Sequence, residues 1–157
     1  TFFEGFAMMA SVSPEGGWAA FLSQTFPHEG GCTFQVHVID LATKMTWPFD
    51  LTGPGCWPSW SPDGASIAHV WLGPGPSSIQ VISSFGDSPQ PVAGEAGRWH
   101  YYPDWSPDGQ LVAVSVSPEH HDGENWDLAI VDPSRTSPAR RLTVGAGNDR
   151  LPDWRPR

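Results

Sequence analysis

Apolar residues recur along this chain in short runs, and each run is bounded by Gly, Pro, Asp or Ser. Ala19-Ala20-Phe21-Leu22, Ile67-Ala68-His69-Val70 and Leu111-Val112-Ala113-Val114-Ser115-Val116 are nearly continuous. Gln35-Val36-His37-Val38-Ile39-Asp40 and Ser78-Ile79-Gln80-Val81-Ile82-Ser83 alternate, and Leu128-Ala129-Ile130-Val131 lies between Asp127 and Asp132. Runs of this length, rich in β-branched residues and closed by turn formers, predict strands. No window sustains a helical apolar stripe past two turns, and 17 Gly and 17 Pro with a single lysine, Lys44, leave few strong helix formers. The expectation is an all-β chain.

The runs keep a fixed position relative to one pentapeptide. Trp60-Ser61-Pro62-Asp63-Gly64 precedes the run at Ile67, and Trp105-Ser106-Pro107-Asp108-Gly109 precedes the run at Leu111. Pro presets the φ of a turn's first central position and Gly tolerates the positive φ that returns the chain, so each copy predicts a hairpin. Trp57-Pro58-Ser59 and Tyr102-Pro103-Asp104 extend the motif upstream. A degenerate copy, Ser13-Pro14-Glu15-Gly16, stands near the start, and a truncated one, Leu151-Pro152-Asp153-Trp154-Arg155-Pro156-Arg157, ends the chain. The motif prolines at 14, 62, 107 and 156 are separated by 48, 45 and 49 residues. In the third unit, strands are predicted at Tyr102–Ser106, Leu111–Val116, Asp127–Asp132 and, short and polar, Ala139–Thr143. The fourth strands of the first two units end in Leu51-Thr52 and Val92-Ala93. Four short antiparallel strands per period of about 45 residues describe a β-propeller blade. The units run approximately over 6–52, 53–95 and 96–145, with 146–157 a partial fourth repeat.

The unit PDWSPDGQLVAVSV…DLAIVDP…ARRLT resembles the blade of the TolB-like propellers, a WD-repeat-like family that includes periplasmic TolB and the propeller domains of prolyl oligopeptidase-type and tricorn-type proteases. The resemblance covers nearly the whole chain. It departs where Val12 replaces the Trp and Glu15 the Asp of the first motif, and where Arg155 and Arg157 replace Ser and Asp of the last. It implies a module that binds proteins or gates a neighbouring enzyme, although a fold by itself does not define a function. Three blades and one inner strand fall short of the roughly four to eight that close a ring. Three arrangements would make up the shortfall: further blades supplied by another segment of a larger propeller, pairing with a second copy, or a cap improvised by Thr1–Met9.

Charge and cysteine content narrow the partners. Eight Lys and Arg against 17 Asp and Glu give a net charge of −9, which argues against nucleic acid and anionic membranes, since both demand a basic footprint. Solubility alone accounts for such a charge, and any partner it favours is cationic. No run of 18 apolar residues exists, so no membrane insertion is expected. Phe2–Met9 lacks the basic start and the length of a signal peptide, so targeting information is absent or already removed. The two cysteines, Cys32 and Cys56, fall on loops of one face. A disulfide between them would be worth roughly 3 kcal/mol and would suit a periplasmic or extracellular compartment; two unlinked thiols are the alternative.

That face also collects the residues able to grip a partner. The loops between second and third strands carry His28, Glu29, His120, His121 and Asp122, and the loops between blades carry Trp57, Arg98, Trp99, His100 and Tyr101. Loops on a rigid β scaffold are usual binding sites, and exposed Trp and Tyr are favoured anchors. For Tyr102, a wedge between blades is the preferred reading. His120, His121, Asp122 and Glu124 have the chemistry of a zinc site, yet nothing in their spacing makes them converge. No metal or other cofactor is expected, and Asp122–Asn125 reads as a turn. Neither Gly-x-Ser-x-Gly, nor His-Glu-x-x-His, nor a phosphate-cradling loop occurs. Ser61 and Ser106 recur per unit and read as turn residues, and Trp60, Trp105 and Trp154 as wedges between blades. The resulting expectation is a non-catalytic module binding a protein or peptide through the loop face. The alternatives are the substrate-gating propeller of a peptidase, or a self-associating building block.

Overall fold

The computed structural model describes residues 6–25, 33–49, 53–86, 89–120, 123–134 and 137–154. Within them the chain forms three four-stranded antiparallel sheets with sequential strand order. The first comprises β1 (Phe6–Val12), β2 (Trp18–Thr25), β3 (Thr33–Asp40) and β4 (Thr46–Pro48). The second comprises β5 (Gly55–Trp60), β6 (Ser66–Trp71), β7 (Ser78–Ser83) and β8 (Gln90–Ala93); the third, β9 (Trp99–Trp105), β10 (Val112–Ser117), β11 (Asp127–Val131) and β12 (Arg140–Arg141). Among the described residues there is no helix, hence none long and apolar enough to cross a membrane.

The sheets gather with their first strands together: β5 meets β1, β2 and β3 of the sheet before it, and β9 meets β5, β6 and β7. Two cores fill the joints. Ala20, Val36, Val38 and Phe49 pack against Trp60, Ile67 and Ile82 in the first. Ala68, Val70, Ile79 and Val92 pack with Tyr101, Val112, Val114, Val116 and Trp126 in the second. Successive residues of β6 thus face different neighbours, Ile67 one blade and Ala68 the other. A strand covered on both faces reads as a continuous apolar run rather than an alternating one. These are propeller blades.

The pentapeptide explains each hairpin. In the third blade, Ser106 accepts the Leu111 N–H at 2.9 Å and donates to Asp108 Oδ1 at 2.6 Å, while Asp108 accepts the Gln110 N–H at 3.0 Å. Ser61, Asp63, Ser66 and Ala65 repeat this network in the second blade. The first keeps only the serine half, Ser13 accepting from Trp18 N–H at 3.0 Å. Gly64 and Gly109 have φ of 71° and 68°, the conformation that glycine holds without strain. Ser106 is buried, so Ser106→Ala leaves the Leu111 N–H without its acceptor. That is expected to destabilise the chain by about 1–3 kcal/mol, read as a lower urea midpoint with faster exchange of the Leu111 amide.

The fourth repeat has motif geometry without a ladder. Leu151–Trp154 is not a strand, contrary to the expected fourth inner strand; no described strand lies beyond it to pair with. It is held against the third blade instead. Leu151 N–H donates to Ser115 Oγ at 3.2 Å, and Trp154 donates through its backbone to Asp104 Oδ2 and through its indole to the Asp104 carbonyl, each at 3.0 Å. The joint before it uses the same clasp, the Trp105 indole donating to the Ser59 carbonyl at 3.1 Å.

Candidate functional site

The first strand of each repeat is broken by a bulge. Pairing skips between Met8 and Ser11 in β1, between Cys56 and Ser59 in β5, and between Tyr101 and Asp104 in β9. Met9, Trp57, Tyr102 and Leu151, each three residues before the motif tryptophan or its Val12 counterpart, have φ of 56°, 50°, 56° and 61°. A bulky residue in this region is strained, at an order of 1–3 kcal/mol each. Bulges re-aim side chains, and here the four meet with Pro58, Pro103 and Pro152 around a depression of about 300 Å³.

Beside it, on the face of the loops between second and third strands, lies an apolar pocket of about 350 Å³. All three blades line it. The first gives Met8, Met9 and Leu22; the second, Cys56, Trp57 and Leu72; the third, Tyr101 and His120. The Trp57 ring meets Tyr101 and Tyr102 edge to face at 5.2 and 5.0 Å. His120 meets Trp99 edge to face at 4.6 Å, and Trp99 stacks parallel to Tyr101 at 6.5 Å. Beneath, Trp126 meets Tyr101 at 5.6 Å and donates its indole N–H to the Gly123 carbonyl at 2.7 Å. The result is a fixed aromatic floor with a flexible rim, Met8 and Met9 being 40% and 38% exposed. Such a surface fits an apolar side chain, Met adapting its shape to what enters.

The structure brings some of the expected residues together and withdraws others. Trp57, Tyr101 and His120 line the pocket, and Trp99 braces His120. His100 and Tyr101 are buried, 0% and 1% exposed, rather than presented as open rings. Both precede the bulge and pair in register with Val116 and Ser115, so they face opposite sides of β9, and both sides are covered, His100 by Ser77 and Tyr101 by Trp57 and Trp126. His100 exchanges hydrogen bonds with Ser77, whose hydroxyl accepts its N–H at 3.0 Å and donates to its carbonyl at 2.9 Å. Burial holds the His100 imidazole below its ordinary pKa, against a raising contribution from its hydrogen bond to Ser77. Tyr102 wedges half-buried against the second core. Arg98 turns aside to Glu95 at 3.9 Å, a half-buried pair of small worth.

His28, Glu29, Cys32, His121 and Asp122 lie outside the described residues, and so does the ligand set that His120 and Glu124 would have formed with His121 and Asp122. Cys56 is a free thiol, 2% exposed, and burial pushes its pKa up, so it packs as a small hydrophobe. Its expected partner, Cys32, lies outside the described residues. Met8, Leu22 and Leu72 were not singled out in the sequence. The Met8-Met9 doublet, three and four residues ahead of Val12, was the available signal.

No family model and no curated protein matches the sequence. Solved structures do match. TolB of Acinetobacter baumannii aligns with 91% of this chain at a TM-score of 0.70 and 20% identity, over 34% of its own length. A protein of Agrobacterium tumefaciens provisionally named TolB aligns with 97% at 0.76 and 17% identity, over 56% of its length. The β-propeller domain of the Trilobed protease from Pyrococcus furiosus aligns with 85% at 0.64 and 15% identity, over 42% of its length. Prolyl endopeptidases and an oligogalacturonate lyase share the fold as well, so it hosts both enzymes and non-enzymes. The chain spans between a third and somewhat over half of the three structures compared. With its clasped sheets, bulged inner strands and Ser-Pro-Asp-Gly hairpins, the chain has the fold of a TolB-like β-propeller, represented here by three blades and the start of a fourth repeat.

Proposed function

We propose that this chain is a non-catalytic binding module that takes an apolar side chain of a protein or peptide into the pocket between Met8, Trp57, Leu72, Tyr101 and His120. The observation that carries the reading is the convergence of all three blades on one apolar pocket of about 350 Å³. A cleft of that size, apolar with few polar groups, is the usual form of a binding site, and its aromatic floor supplies the anchors that dominate interfaces. The likeness to TolB leads us to place the activity outside the cytoplasm, in the periplasm or beyond the cell, which fractionation of the native host would check.

Peptides selected from a random library on the whole chain test the reading. Selected sequences are expected to share one large apolar residue, and Met9→Glu or Met8→Glu, both at rim positions, should weaken them at least tenfold with the melting temperature unchanged. Peptides indifferent to both substitutions would overturn it. The fold shared with the Trilobed protease's propeller supports a second reading, in which this face filters substrate for a peptidase. That reading predicts that the selected peptides compete with substrate when the propeller is joined to such an enzyme.

A further inference from the structure

The joint between the first and second blades differs from the next where it opens on the opposite face, beside the Ser-Pro-Asp-Gly turns. Sheet register aligns the blades residue by residue. Trp18, whose N–H donates to the motif serine, stands where the others have Ser66 and Leu111. Trp47, paired with Val38, stands where Gln90 pairs with Val81 and Arg140 with Ile130. Phe85, two residues past β7, stands where the others have Ala42 and Ser134. Three aromatic residues thus depart from the repeat at one joint, and all three line one pocket of about 350 Å³ together with Trp60, Glu15 and Asp63.

The pocket has the makings of a cation cage. Trp18 and Trp47 meet edge to face at 5.2 Å. Phe85 stands on the rim, 93% exposed, in a turn closed by Gly86 N–H to the Ser83 carbonyl at 2.9 Å. Ser61 donates to the Asp63 carboxylate, which holds it below its ordinary range and therefore charged. Glu15 reaches across the joint, its Oε2 within 3.2 Å of where a Cβ on Gly64 would stand. Neither Lys nor Arg is among the described lining residues. Trp60 is 8% exposed, and its buried indole N–H has no acceptor among the described residues, whereas Trp105 and Trp154 spend theirs on the preceding repeat.

Indole faces attract cations, most strongly cations that shed water easily. Two carboxylates add full charges and repel a ligand that carries its own. We propose that this joint is a binding site for an alkylated ammonium ion, the chemistry of choline and of a trimethylated lysine.

Titration calorimetry with the whole chain separates the cases. Choline chloride is expected to bind saturably, and its uncharged isostere 3,3-dimethylbutan-1-ol at least tenfold more weakly. Trp47→Ala, at a residue 37% exposed, and Glu15→Gln should each lower choline affinity at least fivefold with circular dichroism and melting temperature unchanged. A trimethyl-lysine peptide that binds tenfold tighter than choline identifies the source as a protein side chain; the reverse identifies a free small molecule. The proposal is overturned if neither choline nor the trimethyl-lysine peptide saturates the site by about 10 mM, or if the isostere binds as well as choline.

Discussion

Trp126→Ala is expected to lower the stability of the chain by about 4 kcal/mol and its melting temperature by roughly 12 °C. Trp126 is fully buried. Its ring closes the cluster of Tyr101 and Tyr102 at 5.6 and 6.1 Å, and its indole N–H satisfies the Gly123 carbonyl at 2.7 Å. Its backbone carbonyl also accepts Asp149 N–H at 2.9 Å, beside the bridge to Asn148. One substitution therefore opens a cavity in the second core, orphans a carbonyl and loosens the attachment of the fourth repeat. Trp126→Phe keeps most of the volume and should cost well under half as much. Urea melts of the two variants check this, and equal losses would mean that the hydrogen bond, not the packing, sets the effect.

Acid is expected to act through His69. Its ring is fully buried in the second blade, Nδ1 lies 3.2 Å from the Val70 carbonyl, and Nε2 has no partner among the described residues. Burial lowers its pKa to about 4, outweighing that hydrogen bond. The folded chain refuses a proton that the unfolded chain accepts near its ordinary value. The stability from keeping His69 neutral is thus fully present above about pH 6.5 and is lost as the pH falls toward about 4, amounting to roughly 3 kcal/mol. His100 and His37 are depressed by burial and act in the same direction. Asp104 acts in the other: burial raises its pKa, so protonating it in acid favours the fold and offsets part of the loss. Urea midpoints between pH 4 and pH 7 should fall steeply for the wild type and more shallowly for His69→Leu. Parallel curves would remove His69 from the account.

The fold was legible because its information is local. Ser61, Pro62, Asp63 and Gly64 form their hairpin with bonds spanning no more than five residues, and the spacing of such hairpins by 45 to 49 residues leaves few architectures. Outer strands carry less signal: β12 holds only Arg140, exposed, and Arg141, half-buried against Asp127, so no apolar pattern marks its bounds and the ladder uses two of the five residues predicted. His100 and Tyr101 misled for a definite reason. Alternation predicts one of two neighbours outside, and the two do face opposite sides of β9, but this inner strand is covered on both. The loop-face pocket was half legible, through Trp57, Tyr101 and His120. Leu22 and Leu72 look like ordinary core residues until three blades are seen to share them. The aromatic joint was harder still, since Trp18, Trp47, Trp60 and Phe85 are scattered over two units. Only register shows that Ser66, Gln90 and Ser134 mark what the repeat would otherwise have placed at three of those positions.

The tryptophan clasp joins unlike surfaces, an indole on one unit and a carbonyl on the unit before it, so it has a direction. Contacts of this head-to-tail kind make rings when their angles add to a full circle and spirals when they do not. The quantity under control is therefore the opening angle between neighbours rather than the strength of any single bond. At the first joint the backbone half of the clasp is present, Trp60 N–H to Ser11 Oγ at 3.1 Å, while the indole N–H has no acceptor among the described residues. With no indole to fix that angle, a guest among the rings there would help to set the curvature of the whole array.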